Sequence, residues 1–69
     1  MSGNWTKEEV RRVVITELEI EQKPRVHLDV EHASAGNILN IINWCKAMGY
    51  KAEEIPQTES VRVKKARAI

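Results

Sequence analysis

Phenylalanine is absent from this chain, and the aromatic residues are Trp5, Trp44 and Tyr50. The core must therefore be aliphatic, drawn from Val, Ile and Leu with Trp44 beside it. So few aromatics also leave no stacking platform between the basic residues for nucleic-acid bases. Cys45 is the only cysteine, which excludes an intrachain disulfide and a multi-cysteine metal site and fits a reducing, intracellular setting. No apolar run approaches the roughly 20 residues that span a bilayer. The opening MSGNWTKEE carries no apolar stretch of the signal-peptide kind. A soluble, cytoplasmic protein is the expectation. Charge of one sign is missing too: 11 Lys and Arg stand against 10 Asp and Glu, a formal net charge of +1. That balance lacks the overall bias of a dedicated nucleic-acid binder. Internal repeats, low-complexity segments and known catalytic or metal motifs are likewise not seen.

What is there suits one small domain spanning residues 1–69, with 42% hydrophobic residues. A domain of this size buries only about 60% of its unfolded surface, so a self-pairing edge or face is expected to help it. Charge is unevenly spread. Acids cluster at Glu17, Glu19 and Glu21 and again at Glu53 and Glu54, and bases at Arg62, Lys64, Lys65 and Arg67.

The densest apolar piece runs from Ser34 to Gly49. At about 100° per residue, Ile38, Ile41, Ile42, Cys45 and Met48 share one helical stripe, with Asn37, Asn40 and Asn43 towards the other side. Ser34 suits the N-cap, and Gly49 the left-handed position past the end. Before it, Val26, Leu28 and Val30 alternate with His27, Asp29 and Glu31 as a strand with one buried face. After it come a strand over Tyr50 to Ile55, a turn at Pro56 to Glu59, and a last strand from Ser60 to Lys64 or Lys65 with Val61 and Val63 inward. At the N-terminus, Thr6 and Glu9 form a capping box, with Trp5 and Val10 placed as a hydrophobic staple, so a helix starts near Lys7.

Val13 to Glu21 reads two ways. Its β-branched start and the alternation of Thr16, Leu18 and Ile20 with three glutamates favour a strand, turning at Gln22 to Pro24 into the strand from Arg25 to Glu31. Ile20 would then face Val26, and Glu21 would face Arg25. Alternatively the helix runs on to about Ile20 with Val10, Val13, Val14 and Leu18 inward, at the cost of Glu17 and Glu21 repelling across one turn. The hairpin is preferred. In either case the fold class is α+β: a two-layer sandwich in which a three- or four-stranded sheet packs on the Ser34–Gly49 helix, with an additional N-terminal helix.

From about Arg25 the order of strand, short acidic loop, helix reading IINWCKAMGY, strand, turn and final strand resembles the TusA/SirA-like sulfur-carrier family. The similarity rests on Ile41-Ile42-Asn43-Trp44, Gly49 and the VRVKK ending, over roughly 40 residues. It implies a small α/β sandwich. Members of that family pass a persulfide sulfur to partner proteins, using a cysteine in a Cys-Pro-x-Pro motif at the start of their first helix. The corresponding stretch here, Asn4 to Glu9, has neither residue type, so the resemblance implies a relative without the sulfur-carrying cysteine. A helix over Val13–Glu21 fits that relationship, whereas a strand there implies a different fold.

No catalytic residue, metal ligand or cofactor-binding residue is assigned. Cys45 lies mid-stripe near a helix C-terminus, where the dipole disfavours a thiolate, so it reads as buried and inert and sulfur transfer through it as the least favoured function. His27, Asp29 and Glu31 share a strand face as any solvated face would, and His27 and His32 have no nucleophile placed beside them. Two sets remain. Arg62, Lys64, Lys65 and Arg67 are candidate phosphate contacts, against the plainer reading of a charged sheet edge. Asn37, Asn40 and Trp44 are candidate protein contacts, against a solvated helix side and a core-rim tryptophan. The functional expectation is a non-enzymatic, self-associating protein-interaction domain, with nucleic-acid binding as the alternative.

Overall fold

The computed structural model describes residues 3–66. Helix α1, Lys7–Ile15, opens as its sequence requires. The Thr6 backbone N–H donates to Glu9 Oε1 at 2.8 Å, and Glu9 N–H donates to Thr6 Oγ1 at 3.2 Å. This reciprocal pair satisfies two of the donors that a helix start leaves without partners.

The helix does not stop for a hairpin. It continues as a π-helical segment, Thr16–Ile20, closed by Glu21 N–H donating to the Thr16 carbonyl at 2.8 Å. The preferred strand over Val13–Glu21 is thus corrected to helix as far as Ile20, and Leu18 and Ile20 part company: Leu18 is fully buried while Ile20 is 72% exposed. The reason is cooperative. A capped helix propagates at little cost per residue, and the four-residue spacing of Val10, Val14 and Leu18 puts all three in the core. In an α-helix that spacing drifts by about 40° per step. The wider π turn takes up the drift and keeps Leu18 facing inward. The feared glutamate repulsion is answered by Lys23, whose Nζ lies 3.3 Å from Glu17 and 3.2 Å from Glu21. Gln22, at φ 55°, turns the chain out of the helix ahead of Pro24.

Strand β1, Val26–Asp29, leads through a turn into helix α2, Ala35–Ala47, and then strand β2, Tyr50–Ile55, a short 3-10 turn, and strand β3, Ser60–Lys65. Ser34 Oγ caps α2 by accepting from Asn37 N–H at 3.1 Å, and Gly49 takes φ 93° just past its end. The sheet order is β1-β3-β2, with β3 antiparallel to both neighbours. The C-terminal strand is therefore the centre of the sheet, not a charged edge. The 3-10 turn folds β3 directly back along β2, and the α2 crossover leaves the slot between β1 and β2 that it fills.

Val61 and Val63 oppose Leu28 and Val26 on one side, and Glu54 and Ala52 on the other. These valines and β1 residues meet Val10, Val14, Leu18, Ile41 and Cys45 in an aliphatic core, with Trp5, Ile38, Ile42, Trp44 and Met48 packed around it. A three-stranded sheet under two helices is the expected two-layer α+β architecture. Both helices take the same face, so among the described residues the other face of the sheet has no layer over it.

Candidate interaction surface

The uncovered face is defined by register. With Val61 and Val63 inward, the register turns outward Arg62 and Lys64 on β3, His27 and Asp29 on β1, and Lys51, Glu53 and Ile55 on β2, together with Ser60, which is itself buried and hydrogen-bonded to Thr58. Three cross-strand rows result. Lys51 stands opposite Lys64, then Glu53 opposite Arg62 opposite His27, then Ile55 opposite Ser60 opposite Asp29. The first row is basic, the middle one balances Glu53 against Arg62, and the last carries the single carboxylate of Asp29.

Arg62 sits in the middle. Its guanidinium pairs with Glu53 Oε1, and that hydrogen bond, with the positive charge behind it and a smaller contribution from Lys64, lowers the Glu53 carboxyl below its ordinary range. Arg62 Nε is buried and has no hydrogen-bond partner among the described residues. Shallow depressions lie on either side of this side chain. One, of about 400 Å³, is bordered by Lys46, Lys51, Lys64 and Glu53. The other, of about 450 Å³, is bordered by His27, Asp29, Ile55 and Ser60. Lys51 and Lys64 face each other directly, and neither makes an ion pair with a described residue. Like charges directly opposed across strands are destabilising.

The four bases expected to act together are divided. Arg62 and Lys64 share the open face. Lys65 points to the helix side, where its Nζ is 3.5 Å from Glu19. Arg67 lies outside the described residues. Glu19 also accepts from the Tyr50 hydroxyl at 2.8 Å, and this bond, ahead of the Lys65 charge, holds its carboxyl low. Lys51, which joins Arg62 and Lys64, was not among the expected residues. The signal was available, since the β2–β3 turn at Pro56–Thr58 sets the register that places Lys51 beside Lys64.

The asparagine ladder is divided as well. Asn40 and Asn43 are exposed and Trp44 is half-buried. Asn37 departs from the solvated side expected for it and is only 8% exposed. Its Oδ1 accepts from Trp5 N–H at 2.8 Å and its Nδ2 donates to the Trp5 carbonyl at 2.9 Å, so both ends of the amide are spent inside the chain. Around this clamp, Trp5 Nε1 donates to the Asp29 carbonyl at 2.8 Å and Ser34 N–H donates to Asn4 Oδ1 at 2.8 Å. A Cβ on Gly3 would come within 2.5 Å of His32 Cβ. The N-terminal segment is thereby laced along the end of the sheet and the start of α2.

Cys45 is fully buried, and desolvation pushes its thiol up to about 11. Among the described residues, no three His, Cys, Asp or Glu side chains gather closely enough to hold a metal ion, and no helix is long and apolar enough to cross a membrane. No family model, curated protein or solved structure matches the chain.

Proposed function

We propose that this chain is a non-enzymatic, intracellular domain that works by protein contact, its own copies included, and is a TusA-like relative without the sulfur-carrying cysteine. The observation that carries the reading is the one-sided covering of the sheet. A three-stranded sheet with helices on a single face presents, on the other, an ordered array of charged side chains, and its two edge strands have no outer neighbour among the described residues. The continuous helix through Ile20 is the backbone state that suits the family relationship. Sulfur transfer through Cys45 has little support, because a buried thiol raised to about 11 yields roughly one thiolate in ten thousand at pH 7.

Sedimentation equilibrium from micromolar to millimolar concentration tests the reading. The mean mass is expected to rise above that of one chain. A monomer mass throughout removes self-association from the proposal.

The grouping of Lys51, Arg62 and Lys64 on the open face favours nucleic acid as a second reading. With three contributed phosphate contacts, log affinity should fall against log salt with a slope of about −2 to −3. Fluorescence anisotropy with labelled single-stranded RNA and duplex DNA reads this slope. An unchanged signal in the variant with Lys51, Arg62 and Lys64 all replaced by Ala would exclude the open face as the contact.

A further inference from the structure

Resting on the protein-contact reading and giving it a specific surface, we propose that two copies of the chain join through β2, edge to edge and antiparallel, about a two-fold axis at Ala52. The geometry of the edge selects this register. A two-fold axis perpendicular to the sheet keeps the helix layers of both copies on one side, so each outward residue must meet an outward residue. With the axis at Ala52, Lys51 of each copy stands opposite Glu53 of the other, and Tyr50 stands opposite Glu54. Moving the axis to Lys51 sets Lys51 against itself, and moving it to Glu53 sets Glu53 against itself. Charges on an edge strand usually guard it against pairing. Here their order guards it against its neighbouring registers and leaves one in which opposite charges meet twice.

The intrachain contacts agree. Lys51 faces Lys64 within its own sheet and has no anionic partner among the described residues. Glu53 of the second copy supplies one on its free side. Glu53 already receives Arg62 from within its own sheet, so the joined sheet carries an unbroken row of Arg62, Glu53 and then Lys51 of the neighbour on its outer face. Ala52, half-buried and small, puts no bulk at the axis. The other edge offers less: β1 is four residues long, with Pro24 shortly before it and a turn at Glu31 and His32 soon after. Pairing along β2 gives a continuous six-stranded sheet, with the α2 helices, each packed on its own β2, on the same side of it.

Sedimentation velocity on the full chain, on Lys51→Glu, on Glu53→Lys and on an equimolar mixture of the two variants tests the register, with amide NMR spectra to confirm that each variant is folded. Either reversal alone sets like charges opposite each other twice per pair and should weaken self-association by at least about tenfold. The mixture should recover it, because in a mixed pair both contacts again join opposite charges. A mixture that stays as weak as its components overturns the register. Unchanged self-association in both single variants overturns the β2 edge while leaving the protein-contact reading in place. A full chain that stays monomeric to millimolar concentration overturns both this inference and the self-association on which it rests.

Discussion

Asn37 is the residue whose role is most changed by the fold. On a helical wheel it belongs with Asn40 and Asn43, yet its amide replaces a strand neighbour for Trp5 by answering both the N–H and the carbonyl of that residue. Leaving two such groups without partners costs about 1–3 kcal/mol apiece when they are screened from water. Asn37→Ala should therefore lower the melting temperature by several degrees. Asn40→Ala, on the exposed side of the same helix, should stay within about 0.5 kcal/mol of the parent. Thermal unfolding followed by circular dichroism separates the two. Cys45 is decided on the same scale. With no exposed surface and a thiol raised by desolvation, it should resist a thiol-specific reagent in the native protein and react fully only once denaturant opens the core. Rapid native labelling would contradict its placement.

At the scale of elements, the helix from Lys7 to Ile20 shows how a local pattern yields to packing. Alternation of Leu18 and Ile20 with glutamates suits a strand, and only the partner for each side chain distinguishes the two states. In a hairpin Ile20 would be buried against Val26; in the folded chain it is 72% exposed while Leu18 is fully enclosed. Ile20→Lys should then change stability by no more than about 0.5 kcal/mol, whereas Leu18→Ala should cost about 2–5 kcal/mol. Urea titrations of both variants give the comparison, and a large loss for Ile20→Lys would speak for the strand. Most of the remaining architecture is legible in local chemistry. Thr6 with Glu9, Ser34 and Gly49 mark helix ends by satisfying backbone groups or permitting a positive φ, and the alternation in β1 and β3 marks their buried faces. The candidate surface was half legible. Arg62 and Lys64 stand out as outward residues of a strand, and Lys51 joins them through the register that the Pro56–Thr58 turn sets, but Lys65 is taken up by Glu19 from a distant helix.

For the whole molecule, the acidic clusters set the pH response. Glu19 and Glu53 both titrate below the ordinary carboxylate value of 4.5, Glu19 chiefly through the Tyr50 hydrogen bond and Glu53 chiefly through Arg62. A carboxyl lowered on folding stabilises the fold above its unfolded pKa, and that contribution is lost as pH falls through the folded value. Stability should thus decline as pH drops from about 4.5 downward. Lys23 is raised above 10.5 by hydrogen bonds from its ammonium to Glu21 and Glu17. Its contribution is complete below 10.5 and fades as pH rises through the higher folded value. Because these groups are exposed, salt should flatten both limbs. Melting curves across pH at two ionic strengths measure this, and a fold unaffected by acid would contradict the pairings.

The amino-acid sequence by itself determined what depends on neighbours in the chain: helix starts, turns, strand faces, an aliphatic core and a two-layer α+β class. Each follows from backbone hydrogen bonding and side-chain periodicity acting over a few residues. Tertiary structure alone decided that Val13 to Ile20 is helix, that β3 is the central strand, that Asn37 holds the N-terminal segment, and that Lys51 and Glu53 line a free edge. Those outcomes depend on burial and pairing between segments far apart in the chain. A residue's local pattern permits either side of such a choice, and the free energy of packing selects one.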